Sequence, residues 1–301
     1  MKKRIAAIDI GTNTILLHIA EIDSNNQVKP VRDEHRIARL GEKLNNTGKI
    51  NTPAIQRACK ILNEYDRISK GENVTHVKLI GTSALREATN SNEVLHEFKK
   101  HIDGDFTIIN GEKEAALSYL GTIEDANEST VIDIGGGSTE FISGKNFQTR
   151  DRKSFNLGAV KLTEQFIHKH PPSPSVVDLI RNSIRTVLSG NTANFKNEKI
   201  YAVAGTPVTI ASVLLGLSEH NAKIINGYRL DVAGIEKVLN IFLTHDLDYL
   251  INNLHIAKQR ADVITAGTFI LLEAMSQLET NEIIVSTKGL RYGIIKSMII
   301  K

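Results

Sequence analysis

The chain has 301 residues, 41% hydrophobic and 24% charged, with 37 Lys+Arg against 34 Asp+Glu for a net charge of +3. This excludes collagen-like and disordered classes, and so small a charge gives no argument for a nucleic-acid partner while posing no obstacle to an anionic ligand. Cys59 is the single cysteine, which excludes a disulfide scaffold and any cysteine-based zinc or iron–sulfur cluster and fits a reducing compartment.

At roughly 150 residues per domain the length suggests two domains. Met1-Lys2-Lys3-Arg4 before an apolar run imitates a signal peptide, but Asp9 and Asn13 interrupt the run, so 4–10 is expected as a buried first strand. No stretch approaches the ~20 apolar residues of a membrane span, so no membrane partner and a cytoplasmic location are expected. Strands follow at 15–22 and near 28–38. Helical spacing of Ile55, Ala58, Cys59, Leu62 and Tyr65 predicts a helix over 53–69, capped by Asn51 or Thr52. A strand at 76–81, a helix at 91–101, a strand at 106–110 and a helix from about 112 to 121 complete the first half. The polar, acidic stretch 122–129 marks the domain boundary. Strands are then expected at 129–134, 139–144 and 149–156, and helices near 158–168 and 174–189. After a strand at 200–204 come helices near 207–216, 232–243 and 260–277, a strand at 282–286 and a closing helix at 289–300.

Strands alternating with helices give an α/β class. Ile8-Asp9-Ile10-Gly11 recurs as Ile132-Asp133-Ile134-Gly135, 124 residues later, and each copy leads through a hydroxyl-rich turn into another strand. Glycine turns expose backbone N–H groups that bind phosphate oxygens. Gly11, Thr12, Asn13 and Thr14 in one turn, and Gly135, Gly136, Gly137, Ser138 and Thr139 in the other, are therefore phosphate-binding candidates. Asp9 and Asp133 end their strands just before the turns, where a carboxylate can hold Mg²⁺ against a phosphate. The P-loop is excluded by the lack of its Gly-Lys-Ser/Thr, and the Rossmann fingerprint by the strand–turn–strand pattern. Two further turns, Ala204-Gly205-Thr206-Pro207 and Ser286-Thr287-Lys288-Gly289, each open a helix, where anions are favoured. Each is equally an ordinary connection.

The segments IDIGTNT (8–14), TSALREATN (82–90), NGEKEAALSYLG (110–121), VIDIGGGSTEF (131–141), LGAVKLTEQF (157–166), AGTPVTIA (204–211) and KGLRYG (288–293) resemble, in order and over nearly the whole chain, the serial motifs of the exopolyphosphatase / guanosine pentaphosphate phosphatase family of the actin-like ATPase superfamily. The resemblance implies two ribonuclease-H-like domains facing across a cleft, here 1–122 and 123–288, with the closing helix 289–301 returning to the first. It implies Mg²⁺-assisted hydrolysis of a terminal phosphoanhydride held between the two hairpin turns. The chain departs from the family pattern at Lys113, where a glutamate is usual, at Ala204, where a glycine is usual, and at Tyr292, again in place of glutamate. Longer members carry an added helical region that this sequence lacks, which predicts weaker processivity on long polyanions.

Glu114 matches the family's general base; with Gly111 as N-cap it would equally suit the third position of a capping box. Glu140 matches a family glutamate near phosphate and metal, and is otherwise a solvated strand residue. Arg86 offers a planar fork for phosphate oxygens; Gly205, Thr206, Arg260 and Lys288 are weaker phosphate candidates. His168, His170 and the His245-Asp246 pair fit ordinary loop and helix-end positions, and the runs 150–153 and 99–101 fit solvated faces. Arg36 and Arg39 could instead line the cleft.

The expected function is a hydrolase of phosphoanhydride chains. Mg²⁺ sits at Asp133, with Asp9 as a second candidate ligand, and Glu114 activates water for in-line attack. The substrate is polyphosphate or guanosine pentaphosphate, with guanosine tetraphosphate a further candidate ligand; the sequence does not rank them and leaves homodimer formation open. The alternatives are an actin-like-fold small-molecule kinase and a non-catalytic polyphosphate or alarmone sensor.

Overall fold

A computed structural model of the chain describes residues 3–299; Met1, Lys2, Ile300 and Lys301, which include the end of the expected closing helix, lie outside the described residues. The chain divides into two compact units, one running up to Gly121 and resumed from Leu290 onward, the other spanning Thr122–Gly289.

The first unit is built on a mixed five-stranded sheet. Its strands are β1 (Lys3–Ile10), β2 (Thr14–Ile22), β3 (Val28–Ile37), β4 (His76–Gly81) and β5 (Asp105–Ile108), in the order β3-β2-β1-β4-β5. The first three form an antiparallel meander, and β4 and β5 continue from β1 in parallel. Because strand side chains alternate, β1 feeds two cores. Ala6, Ile8 and Ile10 pack with the long helix Thr52–Gly71. Ile5 and Ala7 pack on the other face with Ile109, Leu117 and the closing helix residues Leu290, Ile294 and Ile295. Covering both faces explains why the first strand is a continuous apolar run.

The long helix starts where the chain supplies a cap. Asn51 Oδ1 accepts the Ala54 N–H at 2.8 Å, and Pro53 sits in the first turn, where its missing N–H costs nothing. Its buried stripe includes Ala58, Cys59, Leu62 and Tyr65, and the Tyr65 hydroxyl donates to Ile15 O at 2.9 Å.

The closing helix Leu290–Ser297 is fixed to the first sheet by a polar cluster. Asp33 on β3 accepts from Arg291 Nε at 3.0 Å and from the Tyr292 hydroxyl at 2.6 Å, and lies 3.1 Å from His18 Nδ1. The buried His18 ring stacks on Tyr292 with centroids 3.7 Å apart. Gly293 is required here, since a Cβ would stand 1.8 Å from Leu117 O.

The second unit repeats the plan. β6 (Ser129–Ile134), β7 (Thr139–Lys145), β8 (Gln148–Phe155), β9 (Ile200–Val203), β10 (Arg229–Asp231) and β11 (Glu282–Val285) form the order β10-β11-β9-β6-β7-β8. β6, β7 and β8 correspond to β1, β2 and β3, and β9 and β11 to β4 and β5, so the two sheets share one order, as the repeat predicts for related domains and as the family resemblance implies. The core gathers Ile132, Ile134, Phe141 and Phe155 with the largely buried helix Ile264–Gln277. No described helix is long and apolar enough to cross a membrane.

Several expectations shift. The single helix expected over 260–277 is two, Lys258–Ala261 and Ile264–Gln277. The helix expected over 91–101 ends at Phe98, and that expected over 158–168 ends at Phe166. The short strand Arg229–Asp231 and the helices Leu44–Thr47, Ala222–Ile225 and Leu247–Asn252 are additions. Asp246 is the N-cap of the last of these and accepts from Tyr249 N at 2.9 Å. That is an ordinary helix-start role.

Candidate active site

The two glycine turns are built alike. Gly11 N donates to Thr14 O at 2.9 Å, and Gly135 N to Ser138 O, also at 2.9 Å. A Cβ on either glycine would approach that same oxygen, at 3.1 and 2.9 Å. Each turn is covered from one side by a later segment that takes its carbonyls. Thr12 O accepts from Gly41 N at 2.8 Å, and Asn13 O from Ala38 and Arg39 N at 3.0 and 2.9 Å. In the second unit Gly135 O accepts from Ala159 N, and Gly136 O from Val160 and Lys161 N, at 3.0–3.2 Å. A planar trans peptide points its N–H opposite to its C=O. The N–H groups of Asn13, Thr14, Gly136 and Gly137 therefore face away from the covering segments. The close approach requires glycine: a Cβ on Gly158 would lie 2.2 Å from Gly136 O, and one on Gly41 2.2 Å from Thr12 Cγ2.

The hydroxyls of the turns are not equivalent. Thr139 is fully buried and donates to Leu157 O at 2.6 Å. The expectation that it binds phosphate is therefore corrected: it ties β7 to the chain behind it. Thr12, Thr14 and Ser138 are partly exposed. Asn13 Oδ1 is buried without a hydrogen-bond partner.

Asp133 and Glu140 are direct partners across the antiparallel β6–β7 pair, so their side chains share one face of the sheet. Glu140 is 5% exposed, and its Oε1 accepts from Ser154 Oγ at 2.7 Å. Like charges directly opposite destabilise a strand pair, and a divalent cation relieves that repulsion. Two carboxylates beside a glycine turn form the hard oxygen donor set that Mg²⁺ takes. The first unit differs: Asp9 stands opposite Leu16, a single carboxylate. By strand alternation Asp9 shares the sheet face of Ile5 and Ala7, the face on which the helix Gly111–Thr122 packs through Leu117.

That helix carries Glu114. Its cap is Asn110, whose Oδ1 accepts the Lys113 N–H at 2.9 Å, and Gly111 lies inside the helix. Glu114 is thus one position beyond the capping-box glutamate, which corrects the capping expectation. Its carboxylate instead receives Arg86 Nη1 at 2.9 Å, and the same nitrogen donates to Ile109 O at 2.9 Å. Arg86, expected to bind phosphate, holds Glu114 in place. This pairing joins residues 28 apart in the chain, and no local pattern signals it.

Gly205 opens the helix Gly205–Leu214 and lies under the Arg260 guanidinium; a Cβ there would be 1.7 Å from Arg260 Nη1. Burial pulls the Arg260 side chain down to about 10, so it remains a cation at neutral pH. Thr206 is buried against Gly267. Ala204 takes φ 71° and ψ −164°, a conformation that belongs to glycine. Lys288, expected to bind phosphate, donates to Glu124 Oε1 at 2.7 Å, and Asn226 Nδ2 reaches the same oxygen at 3.1 Å. Arg36, a candidate for lining a cleft, is held by Glu64 at 2.7 Å and Glu34 at 3.1 Å.

A sequence model described as the Ppx/GppA phosphatase family matches residues 18–301. The chain belongs to the Ppx/GppA phosphatase family. Exopolyphosphatase 2 of Mycobacterium tuberculosis is 29% identical over 293 residues, covering 91% of each chain. A bifunctional 3-dehydroquinate synthase/phosphatase of Fusobacterium nucleatum is 30% identical over 300 residues. The match takes in 93% of this chain but 44% of that longer relative, so the chain spans less than half its length. Among solved structures, the Aquifex aeolicus PPX-GPPA enzyme superposes with a TM-score of 0.83 at 30% identity, covering 99% of this chain and 100% of that one. The Ppx/GppA relationship accounts for the two related α/β units.

Proposed function

We propose that this chain removes the terminal phosphate of inorganic polyphosphate by Mg²⁺-assisted attack of water, in the cytoplasm. The observation that carries the reading is the pair of glycine turns, each preceded by Asp and each with its carbonyls consumed from behind, so that its N–H groups are left to receive phosphate oxygens. Relatives named exopolyphosphatases support the substrate class.

Asn13, Thr14, Gly136 and Gly137 offer backbone donors, with Thr12 and Ser138 adding hydroxyls. Asp133 and Glu140 would hold Mg²⁺, which neutralises phosphate charge. Glu114, oriented by Arg86, accepts a proton from the attacking water. Arg260 and the helix start at Gly205 add positive potential for an anion.

The terminal phosphoanhydride of guanosine pentaphosphate is open to the same chemistry, so substrates are compared side by side, with water as the only acceptor. Release of orthophosphate from polyphosphate without an added alcohol acceptor supports the hydrolase and opposes the kinase alternative; binding without turnover would identify a sensor. Asp133→Asn should raise the Mg²⁺ concentration needed for half-maximal rate or abolish turnover. An unchanged Mg²⁺ dependence would remove Asp133 from the metal.

A further inference from the structure

Outside the glycine turns, the first unit brings together three side chains of a different chemistry. Cys59 is on the helix Thr52–Gly71, Glu97 is on the helix Ser91–Phe98, and His101 lies in the turn that follows. A ligand atom from each lies within 4.8 Å of the other two, the one such group of three among the described residues. His101 Nε2 and Glu97 Oε1 are 3.5 Å apart. Cys59 is buried at 7% exposure, and the other two are half-buried.

We propose that Cys59, Glu97 and His101 form a zinc site, with water as the fourth ligand. A single cysteine excludes a site made of cysteines alone; it does not exclude one in which sulfur is one donor of three. Tetrahedral zinc has bonds of about 2.0–2.3 Å, so its ligands stand roughly 3.3–3.8 Å apart. The side chains close by about 1 Å to reach that geometry. A thiolate, a carboxylate and a neutral imidazole carry two negative charges, and Zn²⁺ cancels them at a partly buried position. Glu97 Oε2 accepts from the exposed Lys100 at 2.6 Å, so it is Oε1 that faces His101.

Binding forms a Zn–S bond as the Cys59 thiol gives its proton to the buffer. The metal sheds all but one of its bound waters as the protein donors arrive, and nothing is oxidised or reduced. Thiolate and imidazole select zinc over Mg²⁺, which prefers oxygen. This site is therefore independent of the phosphohydrolase reading. Zinc would staple two helices of the first unit together and raise its stability by mass action.

The test uses the tag-free, reduced, metal-stripped chain, with Co²⁺ as an optical probe. The expected result is tetrahedral d–d bands and a thiolate-to-cobalt charge-transfer band that saturate at one Co²⁺ per chain, bleached by stoichiometric Zn²⁺ and unaffected by excess Mg²⁺. Cys59→Ser should lose the charge-transfer band. Even outer partners of metal ligands are worth about 10–100-fold in affinity, so His101→Gln should weaken Zn²⁺ binding at least about tenfold. His101 is half-exposed and its replacement leaves the core intact, so that variant carries the test should Cys59→Ser fail to fold. A wild-type chain without the charge-transfer band, or equal Zn²⁺ affinity in His101→Gln and wild type, would overturn the proposal.

Discussion

Arg86 Nη1 lies 2.9 Å from Glu114 Oε2 and donates equally to Ile109 O, so a single guanidinium nitrogen ties the carboxylate to the end of the β5 connection. The short helix Ser83–Glu87 and the helix Gly111–Thr122 are thereby locked in one arrangement. Glu114 is 15% exposed, enough to meet a water while its orientation is imposed from behind.

Arg86→Ala should lower kcat by about 100-fold, the order of cost of misplacing a reacting group by about 1 Å. Arg86→Lys keeps the charge but not the planar fork, and should recover only part of the rate. Steady-state kinetics on polyphosphate check this: a fall in kcat larger than any rise in KM marks positioning. A change confined to KM would return Arg86 to the phosphate-binding role.

Asp33 governs the attachment of the closing helix. Burial alone would raise its carboxyl, but the hydrogen bond to His18, the charge of Arg291 and the Tyr292 hydroxyl outweigh burial and hold it well below the usual carboxylate range. A depressed folded-state value gives stability that is fully present above the unfolded value near 4 and is lost as pH falls through the lower folded value. Asp33→Asn should therefore cost roughly 2 kcal/mol at pH 7. The gap from wild type should narrow as pH falls below about 4. Urea denaturation at pH 7 and at pH 3 measures both; a gap constant with pH contradicts the assignment.

Ala204 occupies a φ/ψ region that is essentially glycine's, at a cost of about 1–3 kcal/mol. Ala204→Gly relieves that strain but adds freedom to the unfolded chain worth roughly 0.5–1 kcal/mol. The net expectation is a gain of about 1 kcal/mol in denaturant unfolding; destabilisation would show that the alanine methyl packs usefully there.

The strand–turn–strand units were legible because a glycine after an apolar run with Asp at its penultimate position is a strong local signal, and its repetition identified the two sheets. What escaped the sequence depended on contacts between distant residues. Asn110 and Gly111 are both acceptable N-caps, and the choice of Asn110 moves Glu114 out of the capping box and toward Arg86. Thr139 looked like another donor in a hydroxyl-rich turn, yet it begins β7, and its hydroxyl is spent on Leu157 O. Arg229–Asp231 is too short to show strand periodicity. No glycine or proline marks the break between Ala261 and Ile264. Gly41 and Gly158 fit their covering segments only because of turns far earlier in the sequence.

The most direct test is Glu114→Gln, assayed for polyphosphate turnover, ligand affinity and stability in one preparation. General-base catalysis contributes about 10²–10⁴-fold in rate, and glutamine preserves the shape and hydrogen bonding of the side chain without accepting the proton. The predicted result is a loss of rate in that range with polyphosphate affinity and unfolding midpoint close to wild type. Normal turnover with reduced stability would contradict it, leaving Glu114 a structural partner of Arg86 and placing the base elsewhere, with Glu140 the next residue to test.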